Sequence, residues 1–258
     1  MQIDFSKPMT FYELIAILLA ALAILIPIIQ AIWNKWIKKP QLNYYQNGKA
    51  VLFFNQSGSY IRVDGVYEAL KKSITVNKID LSIKRHKDGQ NLNLSWSTIT
   101  SPINQNFVGN FMQTTEIAHA FRIETDSIAC AFIEFTDSFN SAGKSFKEST
   151  NDLFKKVNWL KSMYNLYEEA LNKYKGDEEY AKARNKIEKD FFWEIGKYEV
   201  IIAVKYGNKT KRFRFEFTVN EQDYKKLIGN IEESLITPLK SAYGINWYYQ
   251  NVEVELSK

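Results

Sequence analysis

Residues 10–34 read TFYELIAILLAALAILIPIIQAIWN, with no charge from position 14 to position 33. Crossing about 30 Å of hydrocarbon takes roughly 20 apolar residues at about 1.5 Å each. The run is that long, and a helix satisfies its own backbone hydrogen bonds in lipid. Phe11 and Tyr12 precede it, and Trp33 and Trp36 follow it, where aromatic rings settle at headgroup depth. Ala21-Leu22-Ala23 has the small-residue form of a signal-peptide cleavage site, but it falls inside the apolar run. The expectation is a retained single-pass anchor.

Lys35, Lys38 and Lys39 follow the span closely, whereas Lys7 before it stands against Asp4 and Glu13. The positive-inside rule then puts the C-terminal side in the cytosol. The single cysteine, Cys130, agrees with a reducing compartment. Lys38-Lys39-Pro40 ends the helix, because proline cannot continue it and restrains the residue before it. Residues 1–40 thus form the anchor and its flanks, and 41–258 a soluble domain held close to the bilayer.

One face of the anchor differs from the rest. Glu13, Ala16, Ala20, Ala23, Pro27, Gln30 and Asn34 recur in alternating steps of three and four. That is an a/d seam whose members are all small or polar. Helices in lipid associate through small residues that allow close approach and through polar groups that bond across. The seam therefore reads as an oligomerisation or pore-lining face. The plainer alternative leaves Glu13, Gln30 and Asn34 at headgroup depth, where polar residues cost little.

The remaining chain, about 220 of 258 residues, is long enough for one domain with its own core. Aromatics make up 15%, and Gly and Pro are few, which excludes a disordered chain. A formal net charge of +5 beside a membrane favours anionic headgroups, or a nucleotide or nucleic-acid partner.

Short runs rich in β-branched and aromatic residues alternate with turn signals through the first half of this domain. Strands are predicted over 41–47 and 50–55 about an Asn47-Gly48 hairpin. Others follow at 60–63, 74–85, 92–99, 120–123 and 128–135, with turns at Ser57-Gly58-Ser59, Asp64-Gly65 and Asp88-Gly89. The alternation over 74–85 has one break near Asn77-Lys78. This pattern predicts a mainly-β domain of immunoglobulin-like sandwich architecture, without the Cys…Trp…Cys spacing of antibody domains.

The period then changes. Phe146, Leu153, Val157, Leu160, Tyr164, Tyr167, Leu171 and Tyr174 recur at helical spacing until Gly176. Asp177 starts a second helix running to about Trp193. An inserted helical hairpin is expected over 144–193. Tyr198 to Tyr206 and Phe213 to Val219 then alternate about a Gly207-Asn208 turn. A helix over 221–236 ends before Pro238, and a last strand covers 247–256.

Residues 138–145 read SFNSAGKS between strand and helix, but a phosphate loop needs Gly where Ser138 stands. A plain strand–helix loop is expected. His86 and His119 have no Cys or His at ligand spacing, so neither a metal nor a cofactor is expected. Cys130, between Ala129 and Ala131, reads as a small core residue. No nucleophile stands in a recognisable setting, and an enzyme is not expected. The basic run of Lys209, Lys211, Arg212 and Arg214 is the candidate anion-binding site, because a strand would hold Arg212 and Arg214 on one face. The alternative is a solvated sheet face or a surface lying against anionic lipid.

The layout, a seamed anchor joined directly to a basic β-rich cytosolic domain, resembles membrane effectors of bacterial phage-defence systems. The Hailong type, whose channel subunit is held shut by short DNA, is one of them. The resemblance is one of layout across the whole chain. It implies an oligomeric, pore-forming effector in the bacterial inner membrane, gated through its cytosolic domain. It also implies that Lys209 to Arg214 meets a nucleotide or short nucleic acid, and that a partner protein is encoded nearby. A membrane-tethered scaffold or binding module without channel activity is the alternative.

Overall fold

Helix α1 (Phe11–Ile32) opens on a capping box in the computed structural model, which describes residues 10–33, 39–100, 105–107, 110–112, 115–137 and 139–257. The Glu13 N–H donates to Thr10 Oγ1, and the Thr10 N–H donates to a Glu13 carboxylate oxygen at 2.8 Å. This satisfies two donors that a first turn leaves without helical partners. Glu13, expected on the seam, is therefore engaged in its own cap. No residue of α1 is buried, and the helix is long and apolar enough to cross a membrane. Ala16, Ala20, Ala23, Pro27 and Gln30 lie along it, all exposed. Asn34, with Lys35, Trp36 and Lys38, falls outside the described residues.

The strands are β1 (Gln41–Asn55), β2 (Gly58–Leu70), β3 (Ile74–Arg85), β4 (Asn91–Thr100), β5 (Gln105–Phe107) and β6 (Asn110–Met112). After them come β7 (Thr115–Ile117), β8 (Phe121–Ile123), β9 (Ser127–Thr136), β10 (Gly196–Tyr206), β11 (Lys209–Val219) and β12 (Val252–Glu255). Ten of these form one sheet in the order β11-β10-β3-β4-β9-β2-β1-β12, with β7 on β4 and β8 on β3. Every pairing is antiparallel. The two end strands meet where Glu216 and Ser257 exchange backbone hydrogen bonds of 2.8 and 2.9 Å. The sandwich expectation holds as antiparallel β architecture, but the sheet is continuous and nearly closed into a barrel.

Two glycines explain the difference. Asn47-Gly48 is a bulge inside β1, where pairing with β2 jumps from Gln46 to Ala50. Gly48 sits at φ +90°, and its carbonyl accepts the Leu256 N–H at 2.8 Å. Gly65 lies in the middle of β2, where a Cβ would run into the Tyr44 ring. Both read as turns in the sequence, and both instead let one long strand curve.

The closed sheet is filled by its own side chains. Leu52, Ile61, Ile79, Leu81, Ile83, Val200 and Ile202 are buried inside. Tyr44 packs its ring 4.8 Å from Tyr67 and 5.3 Å from Phe213. Trp193 is fully buried, stacks its edge near Tyr198, and donates its indole N–H to the Phe53 carbonyl at 2.8 Å. Cys130, expected inside, is exposed: Ala131, Ile133 and Phe135 take the inner face of β9, which turns Cys130 outward.

Three helices, not two, interrupt the sheet between β9 and β10: α2 (Ser141–Met163), α3 (Tyr167–Lys175) and α4 (Glu178–Asp190). The apolar period runs on past Met163, so the sequence shows no break. The chain nevertheless extends at Tyr164, whose carbonyl accepts the Tyr243 hydroxyl at 2.7 Å. Helix α5 (Glu221–Ala242) continues through Pro238. Proline leaves the carbonyl four residues earlier without a donor. That carbonyl, on Ser234, is met by Gln56 Nε2 at 3.2 Å. Residues 247–251 are not strand, and of the predicted last strand only β12 pairs, with β1.

The helical insert is tied to the sheet by Arg85, which is 3% exposed. Its guanidinium donates to the Phe192 carbonyl at 2.8 Å and to Gln90 at 2.8 Å, and it forks onto Asp88 at 2.9 and 2.5 Å. Helices α2 to α5 all leave and rejoin the sheet at this end. The opposite end gathers Gln41 beside Leu70, Ala69 beside Ser127, and the β10–β11 turn. The segment following α1 therefore enters at the end away from the helices.

Gly65→Ala should lower stability by about 1–3 kcal/mol through overpacking against Tyr44, read as a drop in thermal midpoint. The Arg85 guanidinium and the Gln90 N–H hold the Asp88 carboxyl down to about 2, below its ordinary 3.8. A depressed acid contributes stability above its unfolded value and loses it as pH falls through its folded one. Native protein should therefore lose stability between about pH 4 and pH 2, and Asp88→Asn should flatten that part of a denaturation-versus-pH curve.

Candidate anion-binding site

β10 and β11 pair as the sequence predicts, with Tyr198 through Val219 alternating inward and outward about Gly207-Asn208. The alternation splits the four predicted residues. Arg212 and Arg214 point outward, opposite Ala203 and Ile201. Lys209 and Lys211 belong to the other set. Lys211 donates to the Leu42 carbonyl at 2.5 Å, across the open stretch between β11 and β1. Lys209 is exposed at the turn. Arg214 lies 3.9 Å from Glu199 and is largely solvated. Among the described residues Arg212 has no partner.

Arg212 instead edges a groove of about 590 Å³ on the outer face of β3, β4, β10 and β11. Register builds its floor: Arg212, Ala203, Asp80 and Ser95 stand side by side on four successive strands. The neighbouring row is Ile201, Ser82 and Asn93. Small residues at Ala203, Ser82 and Ser95 make the depression, and the exposed ring of Phe139 lines it too.

Asp80 organises the cations. It accepts Ser95 Oγ at 2.8 Å, and Lys78 and Lys205 lie 2.8 and 3.5 Å from its oxygens. Burial would push the Asp80 carboxyl up. The Lys78 and Ser95 hydrogen bonds and the two lysine charges outweigh it and hold the group below the usual carboxylate range. Lys78 follows the break that the sequence shows near Asn77. Pairing with β10 skips Asn77 there, a β-bulge that re-aims the strand. Two lysines thus flank one carboxylate while Arg212 stands two strands away without a partner among the described residues, so the groove carries surplus positive charge beside an exposed aromatic ring. Such a set can hold a phosphate or carboxylate through Arg212 and stack a planar group on Phe139.

The start of α2 does not offer a rival phosphate site. The Asp137 carboxylate accepts the Ser141 N–H at 2.7 Å, the Ala142 N–H at 3.4 Å, and the Ser141 hydroxyl. It occupies the place an anion would take. Ser138 lies outside the described residues. Among the described residues no group of three or more His, Cys, Asp or Glu is placed to hold a metal.

Sequence reasoning found Arg212 and missed Lys78, Asp80, Ser95, Phe139 and Lys205. These come from segments up to 127 positions apart in the chain, and only the strand pairing joins them. The break at Asn77-Lys78 was the one local signal.

No family model and no curated protein matches this chain. Among solved structures, a family 123 glycoside hydrolase from Clostridium perfringens, analysed for glycolipid glycan hydrolysis, is similar over 70% of this chain. The match covers 27% of that protein at 11% identity and a TM-score of 0.30, too slight to carry an argument.

If the groove takes an anion with a planar group, nucleoside triphosphate at about 100 times its dissociation constant should stabilise the native protein by about 2.7 kcal/mol. Arg212→Ala with Lys78→Ala should abolish that gain in thermal melting, while Arg214→Ala keeps it.

Proposed function

We propose that this chain is a single-pass, membrane-tethered binding module that takes an anionic ligand with a planar group at the Arg212 groove of a cytosolic barrel. The observation that carries the reading is α1: 22 residues, none of them buried, beside a domain whose own core is full. Outside lipid such a helix would expose far more contiguous apolar surface than the few hundred Å² typical of a soluble monomer. The cations after the span orient the barrel to the cytosol. Binding is favoured over catalysis because the groove hydroxyl, Ser95, donates to a carboxylate whose lowered pKa makes it a poor general base.

A second reading extends the first. Ala16, Ala20, Ala23, Pro27 and Gln30 are used by nothing in the barrel, and they form the kind of face on which helices in lipid pack closely. In that reading copies of α1 assemble in a bacterial inner membrane. Ligand or a partner protein at the barrel sets whether the assembly opens, as in antiviral defence effectors.

Alkaline carbonate should leave the full chain with the membrane, and release of intact chain by the wash overturns the tether. Ala20→Leu with Ala23→Leu should reduce a native oligomer to monomer in mild detergent and abolish membrane leakage, with insertion intact. A native chain that is already monomeric and silent overturns the effector reading and leaves the tethered module.

A further inference from the structure

The end of the barrel where α1 joins is basic. Lys71 and Lys72 occupy the β2–β3 turn. Lys209 and Lys211 stand at the β10–β11 turn. The Lys211–Leu42 bond sets this second turn beside the first residues of β1, which follow the anchor directly. Five residues lie between Trp33 and Lys39, so the two are at most about 20 Å apart along the chain. Of the carboxylates at this end, Glu124 pairs with Arg122 at 2.9 Å, Asp126 accepts the Lys71 N–H at 3.2 Å, Glu68 accepts Tyr45 Oη–H at 2.9 Å, and the exposed Glu116 lies 3.8 Å from His119. In the sequence the β5–β6 hairpin falls between β4 and β7, whose pairing runs to Thr100 and Thr115 at this end. No charged residue occurs from Ser95 to Thr115, a segment that includes Phe107, Phe111 and Met112.

We propose that this end is a docking surface for the anionic face of a lipid bilayer, so that the barrel sits upright on the membrane with its helices pointing away. The inference rests on α1 being a retained membrane anchor. Continuity with the anchor supplies the occupant, and the basic turns suit a negatively charged headgroup layer. The Arg212 groove lies on the side wall, so docking leaves it open to the cytosol.

The test uses the full chain in lipid nanodiscs, with Cys130→Ser and a single fluorophore on Asn208→Cys in the β10–β11 turn or Lys87→Cys in the β3–β4 turn. Doxyl-labelled lipid should quench the Asn208 label at least about twofold more than the Lys87 label in discs containing phosphatidylglycerol. Neutral discs, high salt, or Lys71→Glu with Lys209→Glu should remove the difference. Equal quenching at both positions in a chain that stays in the discs overturns the docking surface and leaves the anchor standing. A chain that fails to enter the discs overturns both. Relief of quenching by short DNA at constant ionic strength assigns the basic end to nucleic acid and also overturns the proposal.

Discussion

A sheet whose two edges meet has only one interior, and this chain fills it with its own side chains. Tyr44, Tyr67, Phe213 and Phe215 close the space where β12 stops short of covering β1. Trp193, carried in from the helical insert, seals the other end by donating to Phe53. Aromatic rings bury much apolar area with few rotatable bonds, so they suit an irregular space that must be filled without voids. Among the described residues the interior is packed, and the Arg212 groove lies on the outer face.

The two ends are built differently. At one, Arg85 is almost wholly buried, and its fork on Asp88, Gln90 and Phe192 fastens the insert to the β3–β4 turn. A buried guanidinium is tolerable only because nearly every donor is matched. Helices α2 to α5 crowd that end, with Gln56 and Tyr174 meeting carbonyls of α5 around Pro238. The other end carries short turns, lysines and the junction with α1. This polarity gives the barrel a top and a bottom before any partner is considered.

The outer wall carries the Arg212 groove. On four successive strands Arg212, Ala203, Asp80 and Ser95 form one row, so a single cation and a single carboxylate are held at a spacing fixed by strand separation. Asp80 draws Lys78 and Lys205 toward the same place and remains ionised between them. Residues on rigid strands hold a site more firmly than loop residues do. The groove is shallow and open, suited to a ligand that is held by charge and laid flat.

Much of this was legible from the residues alone. The apolar run determined α1, because its length and lack of charge allow little else. Period-two alternation determined β3, β9, β10 and β11, and the change to helical period marked the insert. Arg212 stood out because it lies on the polar face of an unmistakable strand. What the sequence could not decide were the matters that depend on distant pairing. Asn47-Gly48 and Asp64-Gly65 look like turns until the Leu256 amide and the Tyr44 ring show why each glycine belongs inside a strand. Pro238 looks like a helix end until Gln56 meets the carbonyl it frees. Closure of the sheet, the split of Lys211 from Arg212, and the placing of Arg212 and Asp80 along one groove were decided by tertiary structure. Each needs a register between strands far apart in the chain, and no local period encodes it.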